Sequence, residues 1–188
     1  MGLHRRDLGA IAHYTGLLVS SLALAMLIPL FTALAAGEWG PALDYVCGIG
    51  VAAAVGMLLA LQAPRGVSIG RRDALIVTAL AWLVASLVAA VPLSLSGNYG
   101  SFLDAFFDAI SGLTTSGLTL VQDLDHMALA HNMWRHLTHL IGGQGIIVAA
   151  LSVALGLKGG GAMSLYIAEG RDERILPNVM HTARFIWF

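Results

Sequence analysis

Charge is what this sequence has least of. Only 11% of its 188 residues are Asp, Glu, Lys or Arg, against about 25% in an ordinary soluble domain. Neither sign dominates: the formal net charge is −1, which excludes the broad basic field with which a nucleic-acid binder gathers phosphate. Cysteine is nearly missing. Cys47 stands alone, so an internal disulfide is impossible. It lies in an apolar stretch and reads as a small buried residue.

Hydrophobic residues fill the space that charge leaves, at 57% of the chain, with a mean hydropathy of +0.79. The useful unit of such a chain is the apolar run of about 20 residues that crosses a bilayer. The first runs over 8–36, interrupted only by His13 and Tyr14. Arg5 and Arg6 precede it and 33–36 resembles a cleavage site, but the run far exceeds the usual core of a signal peptide. It is expected to remain as a transmembrane helix. Residues 37–41 form a turn, with Trp39 suited to the interface. Further spans are expected over 43–61, 74–95 (with Pro92 near its end) and 134–157.

Between the last two spans the pattern changes. Residues 101–113 carry Phe102, Leu103, Phe106, Phe107 and Ile110 at helical spacing, with Ser101 placed to cap. A helix of that length is too short to cross and reads as re-entrant. Next in the chain comes Thr114-Thr115-Ser116-Gly117-Leu118-Thr119. Non-helical backbone at membrane depth is tolerated only inside protein or along a water-filled cavity. Gly117 permits a turn that a β-carbon obstructs. The small residues before it can aim carbonyls inward to replace an ion's water, as cation filters do. The C-terminal end of the short helix, near Leu113, adds its negative dipole end. Asp123 and Asp125, just beyond, suit a negative mouth; Asp104 and Asp108 suit it less and read more simply as capping or solvated charge.

Lys and Arg set the orientation. If the short helix re-enters, Arg5, Arg6, Arg65, Arg71, Arg72, Lys158, Arg171, Arg174 and Arg184 share one side, and only Arg135 falls on the other. The N-terminus is then cytoplasmic and the loop opens outward. Arg135 is expected to pair with Asp123 or Asp125, or to sit among headgroups.

Three other readings are weaker. Ser116-Gly117 with His139 evokes a serine hydrolase, but that leaves the Thr pair and the short helix unexplained. His126, His131, His136 and His139 cluster without completing a metal-ligand set. Gly142-Gly143-Gln144-Gly145 lies inside an apolar helix with no preceding strand, so it is no dinucleotide loop. Gly142, Gly143 and Gly145 are expected to let a neighbour approach closely.

The stretch from Phe106 through Gly112-Leu113-Thr114-Thr115-Ser116-Gly117 resembles the first pore loop of the TrkH/TrkG/KtrB family of K⁺ transporters. Trp134-Arg135-His136 through Gly142-Gly143-Gln144-Gly145 is similar to that family's following helix, and Ala168-Glu169-Gly170 and Thr182-Ala183-Arg184 also fit. The resemblance implies an all-α integral membrane fold of four transmembrane helices plus one re-entrant pore helix and filter loop. Residues 1–70 then hold two N-terminal helices, and 71–158 the first membrane–pore–membrane repeat, with its pore helix over 101–113 and its filter over 114–119. Residues 159–188 are expected to be a cytoplasmic linker and the start of a further helix. The resemblance also implies channel-like potassium uptake, with cation symport as one form of it, and no enzymatic reaction. Backbone carbonyls of Thr114, Thr115, Ser116, Gly117 and Leu118 would line the filter, with Thr115 and Ser116 coordinating K⁺. Its expected setting is the bacterial inner membrane, in lipid, as a homodimer when full length, with a cytoplasmic nucleotide-binding regulatory subunit of the TrkA/KtrA type. Family members assemble four such repeats, so this sequence is expected to be a fragment supplying one quarter of a filter. The alternative is a non-conducting truncated membrane protein or assembly partner.

Overall fold

The structure is a computed structural model that describes the backbone of residues 5–62 and 71–156, and the side chains of residues 8–62 and 76–145. All regular structure among the described residues is helical. The first apolar run divides into α1 (Arg5–Ala25) and α2 (Leu27–Ala36). Pro29 explains the break: it lacks an N–H for the carbonyl of Ala25, and its ring crowds that carbonyl. Met26 N still donates to Leu22 O at 2.8 Å, and Leu30 N to Met26 O at 3.2 Å, so the run bends without unravelling. Gly37 closes α2 in the left-handed region, at φ 73°.

Helix α3 (Trp39–Ala60) begins within the expected turn. Pro41 falls in its first turn, where backbone N–H groups have no helical acceptor in any case. Cys47 is exposed, contrary to its reading as a buried residue. Leu43 and Val46 share the surface with it. The outside of a membrane helix is as apolar as its inside, so hydrophobicity does not mark burial there.

Helix α4 (Arg71–Leu95) packs on α1 and α3 and carries α5 (Phe102–Leu113); α6 (Leu129–Gly156) completes the described helices. Small residues bring these helices close. A β-carbon on Gly16 of α1 would meet Ala60 N of α3 at 2.5 Å, and one on Gly56 would meet Ser20 N at 2.8 Å. Met26, Tyr45, Leu93 and Trp134 are the large side chains of the core, set among Ala89, Ala90, Ala105 and Ala109.

Among the described residues, three helical stretches are long and apolar enough to cross a membrane: Leu8–Ala36, Trp39–Ala60 and Ile76–Leu95. With 28 residues, α6 also has the length of a span. It starts at Leu129 rather than near Trp134. Glu38 is the reason: its carboxylate accepts from Leu129 N at 2.9 Å and Ala130 N at 3.1 Å, capping α6 from the other end of the sequence.

The chain forms two compact units, Met1–Gly142 and Gly143–Phe188. In the second, residues 143–156 are the last turns of α6. The expected tail over 159–188, and the loop holding Arg65, lie outside the described residues, as do the side chains of Arg5, Arg6, Arg71 and Arg72.

Candidate functional site

Helix α5 forms as its sequence predicts. Ser101, in extended conformation, accepts from Asp104 N at 3.2 Å and caps the first turn. Its 12 residues rise only about 18 Å, short of a hydrocarbon core of about 30 Å. Ala105, Asp108, Ala109, Gly112 and Leu113 are buried, while Phe102, Leu103 and Phe107 are exposed.

The last carbonyls of a helix ordinarily lack partners. Here the chain supplies one to each. Thr114 N donates to Ile110 O at 2.8 Å, Thr115 N to Gly112 O at 2.9 Å and Ser116 N to Ser111 O at 3.0 Å. The indole Nε1 of Trp82 donates to Leu113 O at 3.0 Å. The helix end therefore offers a nearby cation its dipole, while its last carbonyls are already engaged.

The loop beyond Leu113 has the opposite balance. Thr114, Thr115, Ser116, Gly117 and Leu118 are exposed. Among the described residues, no hydrogen bond ends on a carbonyl oxygen of residues 114–119. Two of the hydroxyls also turn back toward α5. Thr114 Oγ1 donates to Ile110 O at 2.7 Å, and Ser116 Oγ donates to Ser111 Oγ at 3.1 Å. The donors of Thr114 and Ser116 and the N–H of Thr115 point back to α5, while the carbonyls of 114–119 receive no donor among the described residues. Thr115 has φ 59° and Gly117 φ 74°. A left-handed conformation is ordinary for glycine and strained for a β-branched residue. Thr115 holds it at a cost of about 1–3 kcal/mol, against the bond from its own N–H.

Helix α6 braces this segment from behind, within the first unit. A β-carbon on Gly112 would lie 2.3 Å from Thr138 Oγ1. One on Gly142 would lie 2.1 Å from Leu113 O. The expected close approach at Gly142 is therefore present; Gly143 and Gly145 belong to the second unit. A β-carbon on Gly117 would come no nearer than 4.0 Å to His139 Nε2.

The charges sort themselves differently from expectation. Arg135 pairs with Asp108, Nε to Oδ2 at 2.9 Å, and not with Asp123 or Asp125. Asp108 is 4% exposed and so no part of a mouth. Tyr99 donates its hydroxyl to the same Oδ2 at 2.9 Å. Burial, and then the charge of Asp108, hold the Tyr99 hydroxyl well above its ordinary range, so it remains a donor. Asp123 and Asp125 are exposed just past the loop. Asp123 accepts from His126 N at 3.2 Å and from His126 Nδ1 at 2.8 Å, which holds its carboxyl below the usual range.

The remaining histidines do not converge. His131 is buried between Tyr45, whose hydroxyl is 3.2 Å from its Nδ1, and Asp44, 3.3 Å from its Nε2. His139 bonds Arg135 O through Nδ1, while Ser116 is engaged by Ser111, so the Ser–His contact of a hydrolase is not formed. No group of three metal-ligating side chains occurs among the described residues. Trp82 and Tyr99 are neighbours of the loop that sequence reasoning missed, and Asp108 was placed as a lesser mouth candidate or solvated charge instead of a buried ion-pair partner. A carboxylate on the apolar face of a membrane helix was the available signal, because such a charge is costly without a partner.

The comparisons with known proteins converge. The cation transport protein family TrkH matches residues 46–188. An uncharacterized cation transporter of Methanocaldococcus jannaschii is 30% identical over 98% of this chain and 39% of its own length. The Trk system potassium uptake protein TrkH of Escherichia coli is 33% identical over 95% of this chain and 38% of its own. The crystal structure of the potassium transporter TrkH from Vibrio parahaemolyticus superposes with a TM-score of 0.76 at 27% identity, covering 98% of this chain and 36% of that one. The chain thus spans under two fifths of the length of these relatives.

Proposed function

We propose a function on the premise that this chain belongs to the TrkH family of cation transport proteins, as its match over residues 46–188 establishes. The protein carries potassium across a membrane, and residues 114–118 are one strand of the filter that selects it. The observation that carries this reading is the reversal of hydrogen bonding at Thr114. From Ile110 to Leu113 every carbonyl has a donor; over residues 114–119 no donor among the described residues reaches a carbonyl, and residues 114–118 are exposed.

Such a strand replaces water without supplying charge. A K⁺ ion entering it exchanges hydration oxygens for carbonyl dipoles of Thr114, Thr115, Ser116, Gly117 and Leu118, with Thr115 and Ser116 at the centre. The alternation of left-handed residues at 115 and 117 supports a backbone that offers successive oxygens to one side. Asp123 and Asp125 raise the local cation concentration at the mouth. The α5 dipole favours positive charge at Leu113. Gly142 lets α6 approach the end of α5 closely, just before the strand.

Residues 71–158 are read as one membrane–pore–membrane repeat, preceded by the two crossings that α1 with α2, and then α3, make. The strand is one of several that close a filter, and the reading makes the chain part of a channel-like uptake subunit, not an enzyme. The lysine and arginine distribution supports a cytoplasmic N-terminus and an outward-facing loop in a bacterial inner membrane. Cation symport, a homodimer and a nucleotide-binding regulatory subunit of the TrkA/KtrA type complete the proposal.

The test is uptake by the complete gene product in bacteria stripped of their own potassium transport. Saturable rubidium uptake, competed by K⁺ better than by Na⁺, is expected. Growth and uptake no better than with an empty vector would refute the assignment.

A further inference from the structure

Helix α6 meets the loop-bearing helix at three levels. Arg135 pairs with Asp108, Thr138 Oγ1 lies where a Gly112 β-carbon would be, and Gly142 sits against Leu113 O. Residues 135, 138 and 142 recur at helical spacing and share one face of α6. Two of the three contacts are between small groups, and such contacts permit close approach without dictating a register. The third is ionic and buried. Asp108 Oδ2 takes both Arg135 Nε and the Tyr99 hydroxyl, each at 2.9 Å. Its other oxygen, Oδ1, is buried with no partner among the described residues. Any slip of α5 along α6 would leave a guanidinium and a carboxylate unpaired in an apolar setting, a far larger penalty than a glycine contact imposes. A slip of one residue moves the helix by about 1.5 Å. Groups that must converge on a ligand tolerate about 0.5 Å.

We propose that Asp108 is a positioning residue for ion discrimination. Clamped by Arg135 and Tyr99, it fixes the height of α5 on α6, and so the height of the carbonyls from Thr114 onward, without touching the ion. The inference rests on the filter reading of residues 114–118. It predicts that the clamp governs selectivity and apparent ion affinity, and that a neutral pair can partly replace the ionic one.

The experiment uses the complete gene product in potassium-uptake-deficient bacteria, with membrane abundance measured alongside K⁺ and Na⁺ competition for rubidium uptake. Asp108→Asn, which leaves Arg135 unpaired, is expected to lower K⁺ over Na⁺ discrimination by about tenfold and to raise the KM for K⁺. The double variant D108N/R135Q, with no buried charge, recovers most of that loss. Tyr99→Phe keeps the ion pair and shifts the ratio in the same direction by about twofold. If Asp108→Asn does not reach the membrane, Tyr99→Phe decides. A wild-type ratio and KM in whichever variant is read overturns the inference while leaving the filter reading intact. A wild-type protein that transports without preferring K⁺ overturns both.

Discussion

The indole Nε1 of Trp82 lies 3.0 Å from the carbonyl oxygen of Leu113, joining the middle of α4 to the last residue of α5. That bond closes the helix end and sets where open carbonyls begin. Trp82→Phe keeps an aromatic ring and removes the donor. An unsatisfied carbonyl in this packed position costs about 1–3 kcal/mol. The complete protein in detergent is expected to melt at lower temperature, and its K⁺ discrimination to fall. An unchanged melting curve would show that water or another donor replaces the indole.

Gly142 and Leu113 make the tightest backbone approach at the site. Gly142→Ala places a carbon 2.1 Å from Leu113 O, an atom of the main chain that no rotamer change can move aside. Overpacking of this kind costs about 1–3 kcal/mol. Gly50→Ala, where nothing lies within 4 Å of the new carbon, is the matched control. Thermal stability of the two variants side by side checks the prediction. The first should drop and the second hold or rise slightly, since Ala favours helix over Gly.

Glu38 and α6 are coupled across the sequence. Glu38→Ala removes the acceptor for Leu129 N and Ala130 N. A lost cap of this type costs about 0.5–2 kcal/mol. Amide hydrogen exchange should accelerate at Leu129 and Ala130 more than in the middle of α4. Equal protection in variant and wild type would assign the start of α6 to its own sequence.

At the mouth, Asp123 is held low by its hydrogen bonds from His126. A folded-state pKa below the unfolded value means a stabilising contribution present above the unfolded pKa. It is lost as pH falls through the folded one. The window is therefore acidic, below the ordinary value of 3.8. Carboxyl-resolved NMR should place the Asp123 midpoint under 3.8, and His126→Ala should return it toward that value. The same midpoint in both proteins would remove His126 as the cause.

Much of this architecture was readable in advance because its signals are local. Ser101 caps α5 from three residues away, and α5 ends at Leu113 where the apolar spacing stops. The open loop follows from Thr, Ser and Gly standing where a buried helix has no use for them. The family resemblance carried the ion assignment further than residue chemistry could. The misses were non-local or concerned surface. Glu38 starts α6 from 91 residues away. Arg135 finds Asp108 in place of Asp123 or Asp125, which are nearer in sequence, because Asp108 is the buried carboxylate with the most to lose unpaired. Cys47 faces outward because a helix in lipid has an apolar exterior. The bend at Met26 was within reach, as Pro29 stands in plain view four residues after Ala25.

Gly117 offers the most direct test of the filter reading. Its φ of 74° strains any L side chain, while a β-carbon there meets nothing closer than 4.0 Å. Gly117→Ser therefore changes the backbone of the loop more than its packing. In the complete protein, rubidium uptake competed by K⁺ and by Na⁺ should show a clear loss of preference for K⁺ at wild-type membrane abundance. Full K⁺ preference in Gly117→Ser would contradict the claim that this loop selects the ion.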